Sequence, residues 1–508
     1  MNDPRPAADR RAITTQPAQL DNSAAKWTRT GRWLLALLVL AAIGVRSLDV
    51  TRPLVGQFAT KNVVYAMIAR NLARGEAESI WRPTVDVVKA GHKSWHLLEV
   101  PLTAYVAGWG WQQFGGSLDA WGRGVSIVCS GLSVLLLFAL VRRWHGDDAA
   151  WGASFALAFA PVSIIYGQMF MLEASVVLLT LGMFWSLELY LVERRGWALL
   201  TMLASLAGLL LTKIYLLVLL PVVIATTVRF MRHGGSWIRG GNVLGWLVFA
   251  VIPAGLWLRE VFAIAADPGL APRVFFSLAD SARTHVDSHG ILASASFYTR
   301  LVTELIVRDL TPLGLLLSCG AFLTRDWRRH GVWLAVTGLL VLAMPRKFYE
   351  MNYYHLVTLP VLCVLVGLGW QAIRQRWTIP RWGIAVGAIV WIAWSVRFSL
   401  GPAYGVPPED RFVTTAAAAV RARLPDDEPI ATLHGSTLDL LYYCDRSGWA
   451  LVVGDDLERQ LNDVRTQGAK HLVVTGLELF DAHPAAVETL SKLRCLDNSD
   501  GYRIYALD

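Results

Sequence analysis

Charged residues are scarce in this 508-residue chain. Asp, Glu, Lys and Arg make up 17% of it, whereas soluble domains carry roughly a quarter. This shortage excludes an ordinary soluble protein. With 54% hydrophobic residues and a mean hydropathy of +0.42, the composition predicts a protein that crosses a membrane several times.

Cysteine is also rare, with five in the whole chain. Cys129, Cys319 and Cys363 fall in apolar runs, so we expect them to be packing residues. Cys444 and Cys495 lie near the C-terminus. Export of that segment would allow a disulfide between them, although two cysteines alone do not establish one.

Several motifs are missing as well. The sequence has no P-loop, no dinucleotide-binding fingerprint and no internal repeat. The first apolar run follows about thirty polar residues and lacks a small-residue cleavage site, so we expect no cleavable signal peptide. From Gly405 onward there are 10 basic and 17 acidic residues, which leaves a net charge of +15 on the rest. That excess lies in loops flanking apolar runs, so nucleic acid is not the expected partner.

Long apolar runs dominate the region 33–404, which we interpret as a membrane domain of about eleven transmembrane helices. The runs are Trp33–Leu48, Trp121–Val141, Ala149–Tyr166, Met171–Val192, Trp197–Leu211, Ile214–Val228, Val243–Ile264, Leu310–Leu323, Val332–Met344, Tyr353–Gln371 and Trp382–Leu400. Residues 1–32 are polar and rich in Pro and Ala, which predicts a disordered cytoplasmic tail.

The distribution of Lys and Arg predicts the orientation. Pairs such as Arg142–Arg143 and Arg194–Arg195 fall on one side together with the N-terminal tail, and this is the cytoplasmic side. The first loop (49–120) and the C-terminus then face the periplasm. The apolar stretch Pro101–Phe114 must be interfacial or re-entrant, because a further crossing would move every later basic cluster outward.

The pattern changes at Gly405. Residues 405–508 alternate short apolar strands with amphipathic helices, as at Pro429–Leu433, Leu457–Gln467 and Lys470–Thr475. This alternation predicts a small soluble α/β domain with a parallel or mixed sheet.

Polar and charged side chains gather on the outward side, where the membrane core does not exclude them. The candidate carboxylates are Asp49, Asp86, Glu99 and Glu173. Glu173 begins an apolar run, where an unpartnered carboxylate is costly. Arg346 and Lys347 lie on the side that basic residues usually avoid, which indicates an anionic ligand.

Each candidate also has a plain structural interpretation. Arg70 suits the polar face of an interfacial helix, and Asp86 or Glu99 suits a helix cap or a surface ion pair. Glu173 suits the positive end of a helix dipole, and Lys213 suits simple snorkelling to the interface. The motif His285-Val-Asp-Ser-His289 is weak evidence for a metal, because a solvated loop explains it better.

These residues occur in an order that resembles the polytopic glycosyltransferases of the C-type fold (GT-C). The group meant here includes the protein O-mannosyltransferases and the lipid A aminoarabinose transferase. The motifs that carry the resemblance are Ala69–Asn71, Arg82–Asp86, Glu99–Leu102, Gly122–Arg123, Tyr166 to Glu173, Leu211–Lys213 and Tyr353 to Pro360. One departure stands out: relatives carry an Asp shortly before the Tyr-Ala of the first helix, and here Lys61 and Asn62 occupy that region.

The resemblance implies transfer of a sugar from a polyprenyl-phosphate donor to a lipid, glycan or protein acceptor at the periplasmic face of a bacterial inner membrane. The catalytic base would be Glu173, Asp49, Asp86 or Glu99. The expected substrate-binding residues are Lys61, Asn62, Arg70, Asn71, His92, Lys213, Arg346, Lys347 and Tyr354. No cofactor is implied, and a divalent metal is compatible with the chemistry without being required. The alternatives are a lipid-linked-glycan flippase or transporter without enzymatic activity, and a catalytically degenerate member of the group.

Overall fold

The computed structural model describes residues 28–507 except 287, 288 and 436, and it leaves out the side chains of residues 284–289. Most of the predicted N-terminal tail, residues 1–27, therefore lies outside the described part. The first helix begins at Arg29 rather than at Trp33. Its start is set by Thr28, whose hydroxyl accepts a hydrogen bond from the Gly31 amide over 3.1 Å.

Helices form most of the chain up to residue 404. They are α1 Arg29–Arg46, α2 Ala59–Ala73, α3 Leu102–Phe114, α4 Leu118–His145, α5 Asp147–Phe159, α6 Pro161–Tyr166, α7 Glu173–Leu191, α8 Gly196–Thr212, α9 Leu220–Arg232, α10 Trp237–Ala266, α11 Leu278–Val286, α12 Ala295–Glu304, α13 Thr311–Ala321, α14 Gly331–Ala343, α15 Pro345–Glu350, α16 His355–Arg376 and α17 Arg381–Tyr404. The C-terminal segment adds α18 Val413–Arg423, α19 Asp439–Cys444, α20 Leu457–Thr466 and α21 Pro484–Ser491.

Among the described residues, six helical segments are long and apolar enough to cross a membrane. They are Leu118–His145, Glu173–Leu191, Ile214–Arg232, Trp237–Ala266, Asn352–Arg376 and Arg381–Tyr404. Helix α8 and helix α13 are apolar but shorter. The 13 residues of α14 extend only about 20 Å, against a hydrocarbon core of roughly 30 Å. The total of eleven spans therefore stays a prediction, as does the interfacial position of α3.

The helices of the bundle approach each other closely where glycine allows it. Helix α16 packs between α5 and α13. A Cβ atom on Gly367 would clash with the carbonyl oxygen of Ala149, and one on Gly369 would clash with that of Leu317. Both contacts require glycine, because any larger residue would push the helices apart.

One eight-stranded sheet joins the first loop to the C-terminal segment. The strands are β1 Thr84–Lys89, β2 His92–Leu97, β3 Val274–Ser277, β4 Ile430–Leu433, β5 Gly448–Leu451, β6 His471–Thr475, β7 Cys495–Asn498 and β8 Tyr502–Ala506. Their order is β3-β2-β1-β5-β4-β6-β8-β7. Strands β4, β5 and β6 are parallel, and β8 is antiparallel to both β6 and β7. A single parallel pairing, Val87 of β1 with Gly448 of β5, links strands β1–β3 to the five strands of the C-terminal segment.

The C-terminal elements lie close to where the sequence predicts them: strands β4 and β6 and helix α20 each lie within the predicted stretch. Helix α19, strand β7 and the hairpin of β1 and β2 are absent from the sequence expectations. Whether residues 405–508 form a separate domain stays a prediction. The suggested disulfide is wrong for this structure, because Cys444 is buried at the end of α19 whereas Cys495 is exposed on β7, and both thiols are free.

Candidate functional site

Four charged side chains meet at the end of the bundle beneath the first loop. Lys61 lies in the first turn of α2, and Glu99 lies in the turn between β2 and α3. Glu173 is the first residue of α7, and Lys213 directly follows α8. We call these four residues the glutamate–lysine cluster.

The two lysines of the cluster form close ion pairs with the two glutamates. The ammonium nitrogen of Lys213 lies 2.7 Å from Glu99 Oε2 and 3.5 Å from Glu173 Oε1. The Lys61 ammonium lies 3.4 Å from the same oxygen of Glu173. Glu99 Oε1 accepts a hydrogen bond from the hydroxyl of Tyr65. Glu173 is 0% exposed, and Glu99 and Lys213 are each 3% exposed, so these charges interact with little screening by solvent.

Local backbone geometry brings Glu99 and Glu173 close to Lys213. Helix α8 ends at Thr212, and the extended backbone of Lys213 (φ −148°, ψ 90°) turns its side chain out of the helical path. The amide of Val100, next to Glu99, donates a hydrogen bond to the carbonyl of Leu211 over 3.0 Å. Glu173 at the first position of α7 faces the positive end of that helix. The chain therefore holds Glu99 and Glu173 on either side of Lys213.

The two carboxylates differ in their remaining hydrogen-bonding capacity. Burial opposes the ionisation of Glu99, but Lys213, Lys61 and the hydrogen bond from Tyr65 outweigh it and hold its pKa at about 2. Both oxygens of Glu99 are engaged. Glu173 Oε2, in contrast, is buried without a hydrogen-bond partner. Such an atom is costly to leave unpaired, so it is a candidate acceptor for a hydrogen bond from a ligand.

Other unpaired polar atoms lie nearby. The Tyr215 hydroxyl, the Thr212 hydroxyl and His96 Nδ1 are all buried without partners. Burial lowers the pKa of His96 to about 4, so its ring is neutral at pH 7. Unsatisfied donors and acceptors around one carboxylate are typical of a binding site rather than of a packed core.

Aromatic rings and a third lysine complete the site. Lys61 lies over the ring of Tyr353, 4.1 Å from its centroid, and the rings of Tyr215 and Tyr354 are 5.7 Å apart. Lys347 lies 5.8 Å from the centroid of Tyr354. Burial, together with the charges of Lys61 and Lys213, lowers the pKa of Lys347 to about 8. Lys347 has no carboxylate partner among the described residues.

A second buried charge cluster lies on the other side of α2, and we call it the arginine cluster. Arg70 Nη2 is 2.7 Å from Asp86 Oδ2, and Lys93 Nζ is 2.8 Å from Asp86 Oδ1. Lys93 also contacts the Asn71 side-chain oxygen at 2.8 Å. Arg70 reaches Asp445 of the C-terminal segment at 2.9 Å. The contact between Arg70 and Asp445 connects the first loop to the C-terminal segment. Both oxygens of Asp86 are bonded to cations, so this carboxylate has no free oxygen.

The remaining sequence candidates lie apart from the glutamate–lysine cluster. Asp49 is exposed in a left-handed turn (φ 49°) after α1. His92 is exposed at the hairpin between β1 and β2. Arg346 is exposed and pairs with Glu350 at 2.8 Å. Asn62 is buried, and its amide nitrogen donates to the carbonyl of Phe58 over 2.9 Å. The side chains of the His285–His289 motif lie outside the described residues.

The structure also adds residues that the sequence analysis did not assign to the site. Tyr65, His96, Tyr215 and Tyr353 line the glutamate–lysine cluster. Each lies within or next to a motif already singled out. An aromatic residue in a hydrophobic helix carries no signal of its own, because most such residues are ordinary packing residues.

Residues 99–257 match the family model described as dolichyl-phosphate-mannose-protein mannosyltransferase. This range contains Glu99, Glu173 and Lys213. No curated protein matches the chain in a sequence comparison.

Two solved structures share the architecture. ArnT from Cupriavidus metallidurans, bound to undecaprenyl phosphate, has a TM-score of 0.60 and 16% identity, over 95% of this chain and 99% of that one. The archaeal oligosaccharyltransferase AglB from Archaeoglobus fulgidus, with an inhibitory peptide and a dolichol-phosphate, has a TM-score of 0.54 and 12% identity, over 95% and 75%. Together these matches confirm the resemblance inferred from the sequence: the chain is a membrane protein with the C-type glycosyltransferase fold.

Proposed function

We propose that the chain is a glycosyltransferase that moves a sugar from a polyprenyl-phosphate-linked donor to an acceptor at the periplasmic face of a bacterial inner membrane. Two relatives in fold support the donor class, since one is bound to undecaprenyl phosphate and the other to a dolichol-phosphate. Nucleotide sugars are cytoplasmic, so a lipid phosphate must carry the sugar on the outer side. The acceptor is a lipid, a glycan or a protein.

The observation that carries this proposal is the free oxygen Oε2 of Glu173, whose other oxygen lies within 3.5 Å of the ammonium groups of Lys61 and Lys213. Lys61, Lys213 and Lys347 supply three positive charges, whereas Glu99 and Glu173 supply two negative charges. The site thus combines a base with a surplus of positive charge. Transfer from a phosphate-linked donor needs both of these elements.

The reaction follows from this arrangement. The acceptor hydroxyl donates a hydrogen bond to Glu173 Oε2, and its proton passes to that carboxylate as the oxygen attacks the anomeric carbon. The bond between that carbon and the phosphate oxygen breaks, and the electron pair leaves with the lipid phosphate. Lys61, Lys213 and Lys347 stabilise the added negative charge, as charge-assisted hydrogen bonds to a leaving phosphate do.

The proposed membrane side is testable independently. We expect reporter tags after Gly234 and after Trp327 to lie in the cytoplasm, and tags after Ser288 and Asp508 to lie in the periplasm. The reason is the bias of Lys and Arg toward cytoplasmic loops. A cytoplasmic C-terminus would contradict the outward position of the site.

Transfer is tested with the purified protein in nanodiscs and a panel of undecaprenyl-phosphate-linked sugars. We expect consumption of one donor and release of undecaprenyl phosphate, measured by mass spectrometry, and loss of both in Glu173→Gln. Glu193→Gln is the matched control, because Glu193 lies just beyond the other end of α7 and pairs with Arg143. Movement of an intact lipid-linked sugar across the bilayer without cleavage would instead support the flippase alternative.

A further inference from the structure

A second polar site lies in the C-terminal segment, away from the glutamate–lysine cluster. Asp410 ends a short 3₁₀ turn, His434 directly follows β4, and Asp439 begins α19. All three are buried, and one candidate ligand atom from each lies within 4.8 Å of the other two. The sequence analysis assigned no metal ligands, since these residues come from three separate elements.

His434 and Asp410 are each held by a hydrogen bond to a residue outside the group of three. His434 Nδ1 is 2.9 Å from the hydroxyl oxygen of Thr475, which leaves Nε2 directed at the carboxylates. Asp410 Oδ2 accepts a hydrogen bond from the Gly56 amide over 2.7 Å, which leaves Oδ1 directed at His434. Partners of this kind fix the orientation of metal ligands in known sites.

Asp439 is fixed in the same way. Its Oδ1 accepts hydrogen bonds from the Thr437 hydroxyl at 2.6 Å and from the Leu440 amide at 2.9 Å. Its Oδ2 has no hydrogen-bond partner, although the residue is 0% exposed. A fully buried carboxylate oxygen without a partner needs a positive charge beside it.

The hydrogen bond between His434 and Asp410 does not supply the positive charge that Asp439 Oδ2 needs. Nε2 of His434 is 2.9 Å from Asp410 Oδ1 but 3.7 Å from Asp439 Oδ2. A proton on Nε2 is therefore hydrogen-bonded to Asp410, and Asp439 Oδ2 keeps only the longer ionic contact with His434. Nitrogen and oxygen ligands about 2.0–2.2 Å from a tetrahedral cation lie about 3.3 Å apart, and the two observed distances fall on either side of that value.

We propose that Asp410, His434 and Asp439 bind a divalent transition cation, Zn²⁺ in the first place and Mn²⁺ as the alternative. One imidazole nitrogen and two carboxylate oxygens are a ligand set that suits these ions. The site opens onto a cavity of about 780 Å³ lined in part by Gly56, Gln57 and Glu409. Water fills the remaining coordination position from that side.

The site would connect two distant parts of the chain. Gly56 precedes Phe58, the residue before α2, and α2 carries Lys61. A cation that orders Asp410 also orders the Gly56 amide, so it holds the start of α2 against the C-terminal segment. This inference stands independently of the proposed sugar transfer.

The test uses the full-length protein, without an affinity tag, in detergent and treated with EDTA. We expect one Zn²⁺ bound per chain by titration calorimetry and elemental analysis, and a rise in Tm on adding Zn²⁺. Asp439→Asn and His434→Gln should bind Zn²⁺ at least tenfold more weakly and lose the Tm response. Asp500→Asn, an exposed carboxylate in the same segment, should behave as the wild type.

The sign of the Asp439→Asn effect separates this proposal from a purely structural role. Without a metal, removal of a buried unpaired charge leaves stability unchanged or raises it, and EDTA changes nothing in either protein. With a metal, EDTA lowers the Tm of the wild type but not that of the variant. Equal Zn²⁺ and Mn²⁺ contents in the wild type and Asp439→Asn would overturn the proposal.

Discussion

The glutamate–lysine cluster and the arginine cluster contain similar residues at similar depth, yet they differ in how completely the charges are paired. Asp86 has both oxygens bonded to Arg70 and Lys93. Glu173 is equally buried but has one oxygen without a partner. Burial of charge therefore does not by itself distinguish the two clusters. They differ in which buried atom lacks a partner: it is a carboxylate oxygen of Glu173 in one cluster, and Nε of the ion-paired Arg70 in the other.

The physical reason is the cost of removing a charge from water. In the arginine cluster burial opposes the ionisation of Asp86, but Arg70 and Lys93 outweigh it and lower its pKa. Both oxygens of its carboxylate are paired, so the cluster stabilises the contact between the first loop and the C-terminal segment. In the glutamate–lysine cluster part of that cost remains uncompensated until a ligand binds, which is typical of active sites. The following experiments test this difference.

The largest effect should come from Glu173→Gln, which keeps the shape and removes the charge. We expect turnover to fall by about 10²- to 10⁴-fold, because a positioned base contributes on this order, while the Tm stays near that of the wild type. Single-turnover kinetics with the identified donor measures the loss. Near-normal turnover would show that another group, or none, acts as the base.

In the arginine cluster the large effect should be on stability. Asp86→Asn leaves Arg70 and Lys93 without their shared carboxylate, so we expect a loss of about 3–5 kcal/mol in the free energy of unfolding. Glu76→Gln is the matched control, because Glu76 contacts the same Lys93 at 2.6 Å but is exposed; it should cost less than about 1 kcal/mol. Equal losses for the two variants in thermal unfolding would show that the buried carboxylate of Asp86 stabilises the fold no more than the exposed one of Glu76.

Lys213→Ala should weaken use of the donor. Loss of a charge-assisted contact to phosphate costs about 1.5–3 kcal/mol, which corresponds to roughly a ten- to hundredfold rise in the KM for the donor. Because Lys213 also neutralises Glu99, the double variant with Glu99→Gln separates the two roles. If the double variant regains the wild-type KM, Lys213 serves only to pair Glu99.

Lys347 should make donor binding depend on pH. Its pKa of about 8 means that the ammonium form, which binds phosphate, predominates below pH 8 and is lost as the pH rises. We expect the KM for the donor to increase up to about tenfold between pH 7 and pH 9. Lys347→Arg keeps its charge over this range and should abolish the alkaline rise. An identical pH profile in both proteins would exclude Lys347 from phosphate binding.

The smallest effect should come from Asp49→Asn. Asp49 is exposed and contacts none of the four residues of the glutamate–lysine cluster, so we expect stability to change by no more than about 0.5 kcal/mol and turnover to remain normal. A large loss of turnover with Glu173→Gln still active would reverse the ranking of the two carboxylates.

Much of the C-terminal segment could be predicted from periodicity. Strands β4 and β6 are short apolar runs, and helix α20 has apolar residues at helical spacing. The hairpin of β1 and β2 was missed because β2 begins with three consecutive polar residues, His92, Lys93 and Ser94, and so shows no alternation of polar and apolar residues. The apolar run ending at Tyr166 was broken by Pro161, which begins the short helix α6.

The sequence by itself determined that this is a membrane protein, approximately where most of its apolar helices lie, and that Glu173 at the start of an apolar run needs a partner, because composition and hydrophobic periodicity are local properties. Only the tertiary structure decided which charges meet. Lys61 is 112 residues from Glu173, and Glu99 is 114 residues from Lys213. Whether a buried carboxylate is paired depends on distances of a few ångströms across the bundle, and spacing along the chain carries no record of them.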